Sequence, residues 1–431
     1  MKVLVSHKHA VGARAVVLLL VCGSLVVPVG AEILHVPTVD YPTIQSAITA
    51  AVSDVDTVEV SDGSYFETID FLGKNITVRS ANGAGVTTID GSTSAGSVAV
   101  FQGWEDQTAR LVGFTITGGT GTPNSGYTSG GGILVRFGSA PTISECVVTG
   151  NSAETGAGIA VLNSSPTIVD CVIDNNTAAT SGGGLSIGGA ESAPMITRCV
   201  ISNNTATSGG GVRIINSAQG TFTACTVRDN TAADQWDGGG FSIESDSTPR
   251  ILSCLITGNI AGVGGGIFSS DSSPNVTNTT IAGNFATETN PDWQGGGIYV
   301  RWSTSPTIGV TNSIIWGNSP NQVQLNSSSI GLTYSAVQGG WPGTGNTNEN
   351  PSFAGPDDFH LLANSPCIDI GDNQATVLPA VDIDGENRLI DGDGDQTVVI
   401  DMGADEFVGH DQVFSDGFED GGTGAWSTAV P

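Results

Sequence analysis

The run Gly182-Gly183-Gly184-Leu185-Ser186-Ile187, followed by Pro194-Met195-Ile196, Cys199-Val200-Ile201 and Asn204-Thr205-Ala206, decides the fold. Leu185 and Ile187 lie two residues apart, as do Pro194 and Ile196, and Cys199 and Ile201. Apolar residues at that spacing in short runs mark strands with one buried face. Glycine, proline and asparagine break the runs, so the block reads as three short strands joined by three turns.

Outward from this block the pattern recurs. Glycine triplets start at Gly130, Gly156 (as Gly-Ala-Gly), Gly182, Gly209, Gly238, Gly264 and Gly295, with gaps of 26, 26, 27, 29, 26 and 31 residues. Repetition at such a period is the mark of a solenoid. No amphipathic run between blocks is long enough for a crossover helix, and the Leu-x-x-Leu-x-Leu signature of leucine-rich repeats is absent. A propeller blade would need about 40 residues. Stacked coils pair their backbone groups in parallel and merge their inward side chains into one core. A repeated strand-crossover-strand path winds right-handed. The expected fold is therefore all-β, a right-handed parallel β-helix of about ten three-stranded coils, each rising about 4.8 Å.

Two columns set the register. Cys146, Cys171, Cys199, Cys225 and Cys254 share one repeat position, continued by Thr279. Five residues further on come Asn151, Asn176, Asn204, Asn230, Asn259 and Asn284, with Asn318 after a small insertion. An inward Asn at a turn bonds the backbone and the Asn of the next coil, which satisfies a buried amide. The Asn column is thus expected to be scaffold, since a catalytic residue would be unique to one or two coils. Stacked Cys residues point the same way about 4.8 Å apart, too far for a disulfide, and no Cys-x-x-Cys offers a metal site. They read as small buried thiols.

The chain has 61 Gly among 431 residues, and only 13 Lys+Arg against 42 Asp+Glu. There is no Gly-X-Y period, and 39% hydrophobic content, regularly placed, argues against disorder. A net charge of −29 opposes nucleic acid and anionic lipid as partners. Lys2, Lys8 and Arg14 precede and enter an apolar run, Ala15 to Val27, too short to span a bilayer; Val29-Gly30-Ala31 follows as a cleavage site. This is a secretory signal, with Glu32 starting the mature chain. Cys22 would suit a lipoprotein, but Val21 is bulky where such signals carry a small residue.

The ends differ from the body. Ile44, Ala47, Ile48, Ala51 and Val52 make a short amphipathic helix after Pro42-Thr43, expected to cap the solenoid, and Val58-Glu59-Val60 reads as the first strand. The chain divides into 1–31, signal peptide; 32–80, N-terminal cap and first coil; 81–340, parallel β-helix; 341–409, C-terminal capping region; and 410–431, tail. The tail, from Phe414-Ser415-Asp416-Gly417, reads either as a sorting tag or as a frayed terminus.

Tyr41-Pro42-Thr43-Ile44-Gln45, Asp56-Thr57-Val58 and Gly73-Lys74-Asn75-Ile76-Thr77 resemble the opening of bacterial right-handed β-helix proteins of the pectin-lyase-like group. The Asn-x-Ala…Gly-Gly-Gly-Ile blocks resemble repeats of that group and of polymorphic outer-membrane proteins. Ser313 to Asn318, Ser365 to Asp369, and Asp382 through Glu406 are similar too. The resemblance implies the fold and export to the outside or outer surface of a Gram-negative cell. It does not choose between polysaccharide lyases and non-enzymes.

No catalytic set is visible. The Asn-Thr-Asp and Gly-His-Gly signatures of hydrolases in that group are absent, and no His lies between His35 and His360. Asp357-Asp358 reads as a polar loop, and Arg136, Arg213 and Arg301 as solvated strand residues. The candidate binding edge comes from two lengthened loops, Asp234-Gln235-Trp236-Asp237 and Pro291-Asp292-Trp293-Gln294, two coils apart, with Glu244, Phe268, Tyr299, Arg301 and Trp302 on the adjoining strand. Aromatics beside carboxylates hold sugar rings by stacking and hydrogen bonding. The competing reading makes each Trp a packing lid. Asp391, Asp393 and Asp395 have calcium-loop spacing, although Gln396 and Met402 break the full pattern; the alternative is a polar turn. No cofactor is required beyond that candidate calcium. The function read from the sequence is a monomeric, non-catalytic exported protein that binds a polysaccharide or cell-surface glycan. A lyase or hydrolase and a purely structural surface protein are the alternatives.

Overall fold

The computed structural model describes residues 30–233, 237–302 and 308–409. Nearly all of residues 1–31, read above as a signal, the 410–431 tail, and Trp236 lie outside these residues. The chain winds into a parallel β-solenoid whose sheets contain 12, 11, 10 and 8 strands.

Three of the sheets are those the alternation implies. In the Pro sheet, Met195–Thr197 pairs in parallel with Thr167–Val169 and Thr221–Thr223. In the Cys sheet, Val200–Ser202 pairs with Val172–Asp174 and Thr226–Arg228. In the glycine sheet, Leu185–Gly188 pairs with Ile159–Leu162 and Val212–Ile215. The fourth sheet follows the Asn corner, where Thr205–Ala206 pairs with Thr231–Ala232. This strand, taken as a turn in the sequence, is two residues long here. Two residues are too few for an alternation to show, so the coils carry one strand more than the three expected.

Ile187, Ile196 and Ile201 are fully buried, and their equivalents in successive coils join one continuous core. Each such side chain contributes roughly 1.5–3 kcal/mol relative to exposure. The Asn column runs through this core without a break. Asn204 Nδ2 donates to Asn230 Oδ1 at 3.0 Å and to Ile173 O at 2.9 Å. Its Oδ1 accepts from the backbone N and Nδ2 of Asn176, both at 3.0 Å. The same bonds link Asn151 to Asn176, and Asn230 through Asn259 and Asn284 to Asn318. Gln322 closes one end, accepting from Asn318 Nδ2 at 2.8 Å, and Gly119 N donates to Asn151 Oδ1 at the other. The Cys column is buried and unbridged. Each Sγ donates to the carbonyl two residues earlier, as Cys199 does to Thr197 O at 3.4 Å. Burial pushes the Cys225 thiol well up, so it keeps its proton.

The N-terminal helix spans Ile44–Ala50. Thr43 Oγ1 accepts from Ser46 N and Ser46 Oγ accepts from Thr43 N, a reciprocal cap that starts the helix at the expected place. Ile44, Ala47 and Ile48 face the core. Val52 does not: the helix ends before it, and it is 37% exposed. The first strand is also earlier than expected. Ile33–Val36 precedes the helix and pairs with Thr57–Val60.

The C-terminal segment lies along the flank of the last coils. Leu361, Cys367, Ile368 and Met402 pack on Ile314 and Ala336 of the Cys sheet. Corner residues of successive coils bind its backbone: Ser253 Oγ to Val381 O, Asn278 Nδ2 to Asp401 O, and Asn312 Nδ2 to Asp372 O. Arg388, 2% exposed, fastens it. Its guanidinium donates to Gly403 O, Asp405 O and Ser253 Oγ, and meets Glu406 Oε2 at 3.4 Å.

Candidate functional site

The glycine sheet positions the candidate site. Its strands alternate strictly, so Ile133 and Val135, Leu185 and Ile187, and Ile298 and Val300 enter the core. The residues between them form an outer face. In register along the solenoid stand Leu134, Ala160, Ser186, Arg213, Ser242, Phe268, Tyr299 and Gln324. The face is aliphatic at one end, polar and charged in the middle, and aromatic at the other.

At the aromatic end the structure brings together Trp293, Tyr299 and Arg301. Tyr299 is fully buried, and its ring stacks on Phe268 at 6.0 Å and 8°. Its hydroxyl accepts from Asn326 Nδ2 at 3.3 Å. Trp293, in a short 3-10 turn Pro291–Trp293, is half-buried against Val263, Phe268 and Tyr299. Asp292 is exposed on the same turn. The stacking faces of this cluster are therefore largely used within the protein. Arg301 lies over Phe268 at 4.8 Å and over Trp302 at 4.5 Å, and Trp302 is 57% exposed.

In the middle, Asp237 and Glu244 share Ser242, whose Oγ lies 2.9 Å from Asp237 Oδ1 and 3.0 Å from Glu244 Oε1. Arg213 Nε stands 3.3 Å from Glu244 Oε1. Burial first, and Glu244's charge second, push the Asp237 carboxyl up to about 6. Asp237 sits two coils from Asp292 and Trp293, the separation that the two lengthened loops imply.

At the aliphatic end a groove of about 560 Å³ opens over the sheet. A hairpin of Thr122–Asn124 and Tyr127–Ser129 forms one wall. The floor and far wall include Arg136, Phe137, Asn163, Ser186, Arg213 and Asn216. Tyr127 is 41% and Phe137 55% exposed, and Arg136 lies over the Phe137 ring at 4.6 Å.

Phe137 and Trp302 occupy the same repeat position, the turn residue after the glycine-sheet strand, six coils apart. Each is preceded by an Arg that stacks on it. Each has a left-handed backbone, φ 61° and 56°. Asn163 and Asn216 hold the same turn in coils between them, with φ 47° and 59°. Asn tolerates that region, whereas a bulky aromatic there is strained by about 1–3 kcal/mol. Sequence reading passed over Phe137 and took Trp302 only as one aromatic of the strand beside the lengthened loops, because the left-handed turn leaves no trace in residue identity. The shared Arg-aromatic pair at one repeat position was the available signal.

The calcium-loop carboxylates are partly assembled. Asp391 and Asp393 come within 4.8 Å of each other and of Asp369, which the spacing did not include. Asp395 is outside this group; its Oδ1 instead caps Thr397 N. Asp395 is committed to the cap of its own turn, and Asp369 takes the third place.

A family model, the right handed beta helix region, matches residues 70–204 and 131–337, together more than half of the chain. The chain belongs to the right-handed β-helix family. Among solved structures, pectate lyase Pel9A is similar with 15% identity and a TM-score of 0.46, over 87% of this chain and 96% of that one. The A-module of the Azotobacter vinelandii mannuronan C-5 epimerase AlgE6 matches with 15% identity and a TM-score of 0.34, over 72% and 94%. No curated protein matches the sequence. Among the described residues, no helix is long and apolar enough to cross a membrane.

Proposed function

We propose that this member of the family is an exported, monomeric, non-catalytic protein that binds a glycan chain along the outer edge of its glycine sheet. The observation that carries this reading is the pair Arg136–Phe137 and Arg301–Trp302. Two exposed aromatics, each braced by an Arg and each in a strained turn, stand at the ends of a row whose interior positions include Asn163 and Asn216. Six coil steps separate them by about 29 Å, the length of several sugars. Aromatic faces stack on sugar rings, and amides and guanidinium groups bond hydroxyls. Strain kept at surface turns points to a role other than stability.

The test is Phe137→Asn and Trp302→Asn, assayed on a glycan array and by thermal melting. Asn accepts the left-handed turn, so both variants are expected to melt at or slightly above the wild-type temperature. Glycan binding is expected to weaken by about 1–3 kcal/mol at each. Unchanged binding in both, or a wild type that binds no glycan, refutes the reading.

A second reading, glycoside hydrolysis, is favoured by the Asp237–Ser242–Glu244 arrangement. Two carboxylates that share one hydroxyl, one of them with its pKa pushed up to about 6, are a pair whose environments could divide acid and base roles. Release of reducing ends that is lost in Glu244→Gln would establish it. Silence across a panel of polysaccharides would leave binding alone.

A further inference from the structure

The C-terminal segment brings three turns to one point over Thr226 and Leu255, beside a pocket of about 310 Å³. His360 comes from the first turn, Asp384 from the second and Asp405 from the third. His360 Nε2 is 2.9 Å from Asp384 Oδ2, and one ligand atom from each of the three residues lies within 4.8 Å of the others. We propose that His360, Asp384 and Asp405 form a three-ligand site for a divalent transition metal, zinc in the first place.

Four features support this beyond the cluster itself. The imidazole is oriented from behind, since its Nδ1 is held by Asp358 Oδ1, which also accepts from the His360 backbone N at 3.2 Å. A carboxylate on the far nitrogen is the usual outer partner of a metal-bound histidine, fixing the tautomer that leaves Nε2 to the ion. Asp405 is 7% exposed and anchored through Oδ2 to Leu361 N at 2.7 Å, so one ligand is rigid and deep. The Asp384 turn is likewise pinned, with Asp384 N and Glu386 N both donating to Asp382 Oδ1. Finally, the pocket wall contains Asp357, Asp358, Asp384 and Asp405 with one His and no Lys or Arg. Four carboxylates around one imidazole leave negative charge that a dication neutralises.

The donor set selects the metal. One imidazole with carboxylates suits zinc or manganese, while calcium takes six to eight oxygens. Tetrahedral zinc with arms of about 2.0–2.1 Å sets its ligand atoms about 3.4 Å apart. The His360–Asp384 contact needs to open by only about half an ångström to reach that spacing. Without an ion Nε2 and Asp384 Oδ2 face each other directly, and the ion takes the place of that contact. Three protein ligands leave a further coordination position for water or a pocket ligand. The ion would pin three turns, drawn from residues 360–405, to the flank of the coils.

The experiment uses the mature chain, dialysed against chelator and titrated with Co2+ and then Zn2+. Expected are tetrahedral cobalt absorption bands saturating at one ion per chain and their loss on zinc addition. His360→Gln and Asp405→Asn are expected to weaken binding by about tenfold or more. Asp391→Asn, in the separate acidic cluster, should leave it unchanged. Melting in chelator checks that each variant is folded, and if either unfolds, Asp384→Asn at the exposed ligand replaces it. No bound ion in the wild type, wild-type affinity in His360→Gln, or loss of the bands in Asp391→Asn overturns the assignment.

Discussion

The stacked coils and the C-terminal segment bury polar groups in opposite ways. In the coils each buried Asn is neutral and finds its partners in the identical residue of the next coil, from Asn151 to Asn318. In the C-terminal segment the buried groups are ionisable and unique. Arg388, Asp382, Asp401 and Glu406 are all at most 2% exposed, and Arg388 alone reaches Ser253, Asn278, Gly403 and Asp405. A repeat satisfies itself locally and tolerates extension. A wrap of single-copy contacts is all-or-none, and it depends on coils that do not depend on it.

The largest effect that tests this contrast is expected at Arg388. Arg388→Met removes the cation facing Glu406, whose carboxyl keeps the Asp401 N–H, and takes a donor from Gly403 O and Asp405 O, at a cost of roughly 3–5 kcal/mol. The 341–409 segment should become open to limited proteolysis while the β-signal in circular dichroism persists. Loss of both together would show that the coils rely on the wrap. Next comes Asn204→Leu, in the middle of the ladder. It strands Asn176, Asn230 and Ile173 groups at once, and the expected cost is near the top of roughly 1–3 kcal/mol. The same change at Asn318, where Gln322 already ends the ladder, should cost less. Equal urea midpoints for the two variants would break the idea that the ladder acts as a continuous chain.

Asp237 is a charged exception within the coil body, and it sharpens the comparison. Its folded pKa, about 6, lies above the ordinary value of 3.8 because burial disfavours the carboxylate. The folded state is therefore penalised above pH 6, and the penalty disappears as pH falls through 6 toward the unfolded value. Between pH 8 and pH 5 the wild type should gain roughly 1–1.5 kcal/mol relative to Asp237→Asn. Parallel pH profiles of the two proteins would contradict this. The smallest effect belongs to the cysteines. Cys146, Cys171, Cys199, Cys225, Cys254 and Cys367 are free and buried. The folded protein should titrate almost none, the unfolded one all six, and reductant should leave the melting temperature unchanged. A reductant-sensitive melt would mean a bridge that the stacked geometry disfavours.

Much of this was legible in residue order. Alternation around Leu185 and Ile187 placed the glycine sheet, the Asn column placed the ladder, and Thr43 placed the helix start. The fourth sheet was not legible, because Thr205–Ala206 is too short for periodicity. Of the expected binding edge, Trp293, Tyr299 and Arg301 do meet, but Tyr299 is spent on packing against Phe268. Exposure of an aromatic depends on what the neighbouring coils place above it, and a single repeat does not carry that information.

What the sequence by itself determined is whatever repeats: strand number within a narrow margin, register, inward and outward faces, and the unbridged thiols. Repetition makes these local, since each coil sees only its neighbours at a fixed offset. What only the tertiary structure decided is whatever occurs once. The left-handed turns that project Phe137 and Trp302, the Asp237–Ser242–Glu244 cluster, and the meeting of His360, Asp384 and Asp405 join residues with no common spacing. Their proximity follows from how a non-repeating segment packs on a repeating one, a sum of many weak contacts that no local pattern encodes.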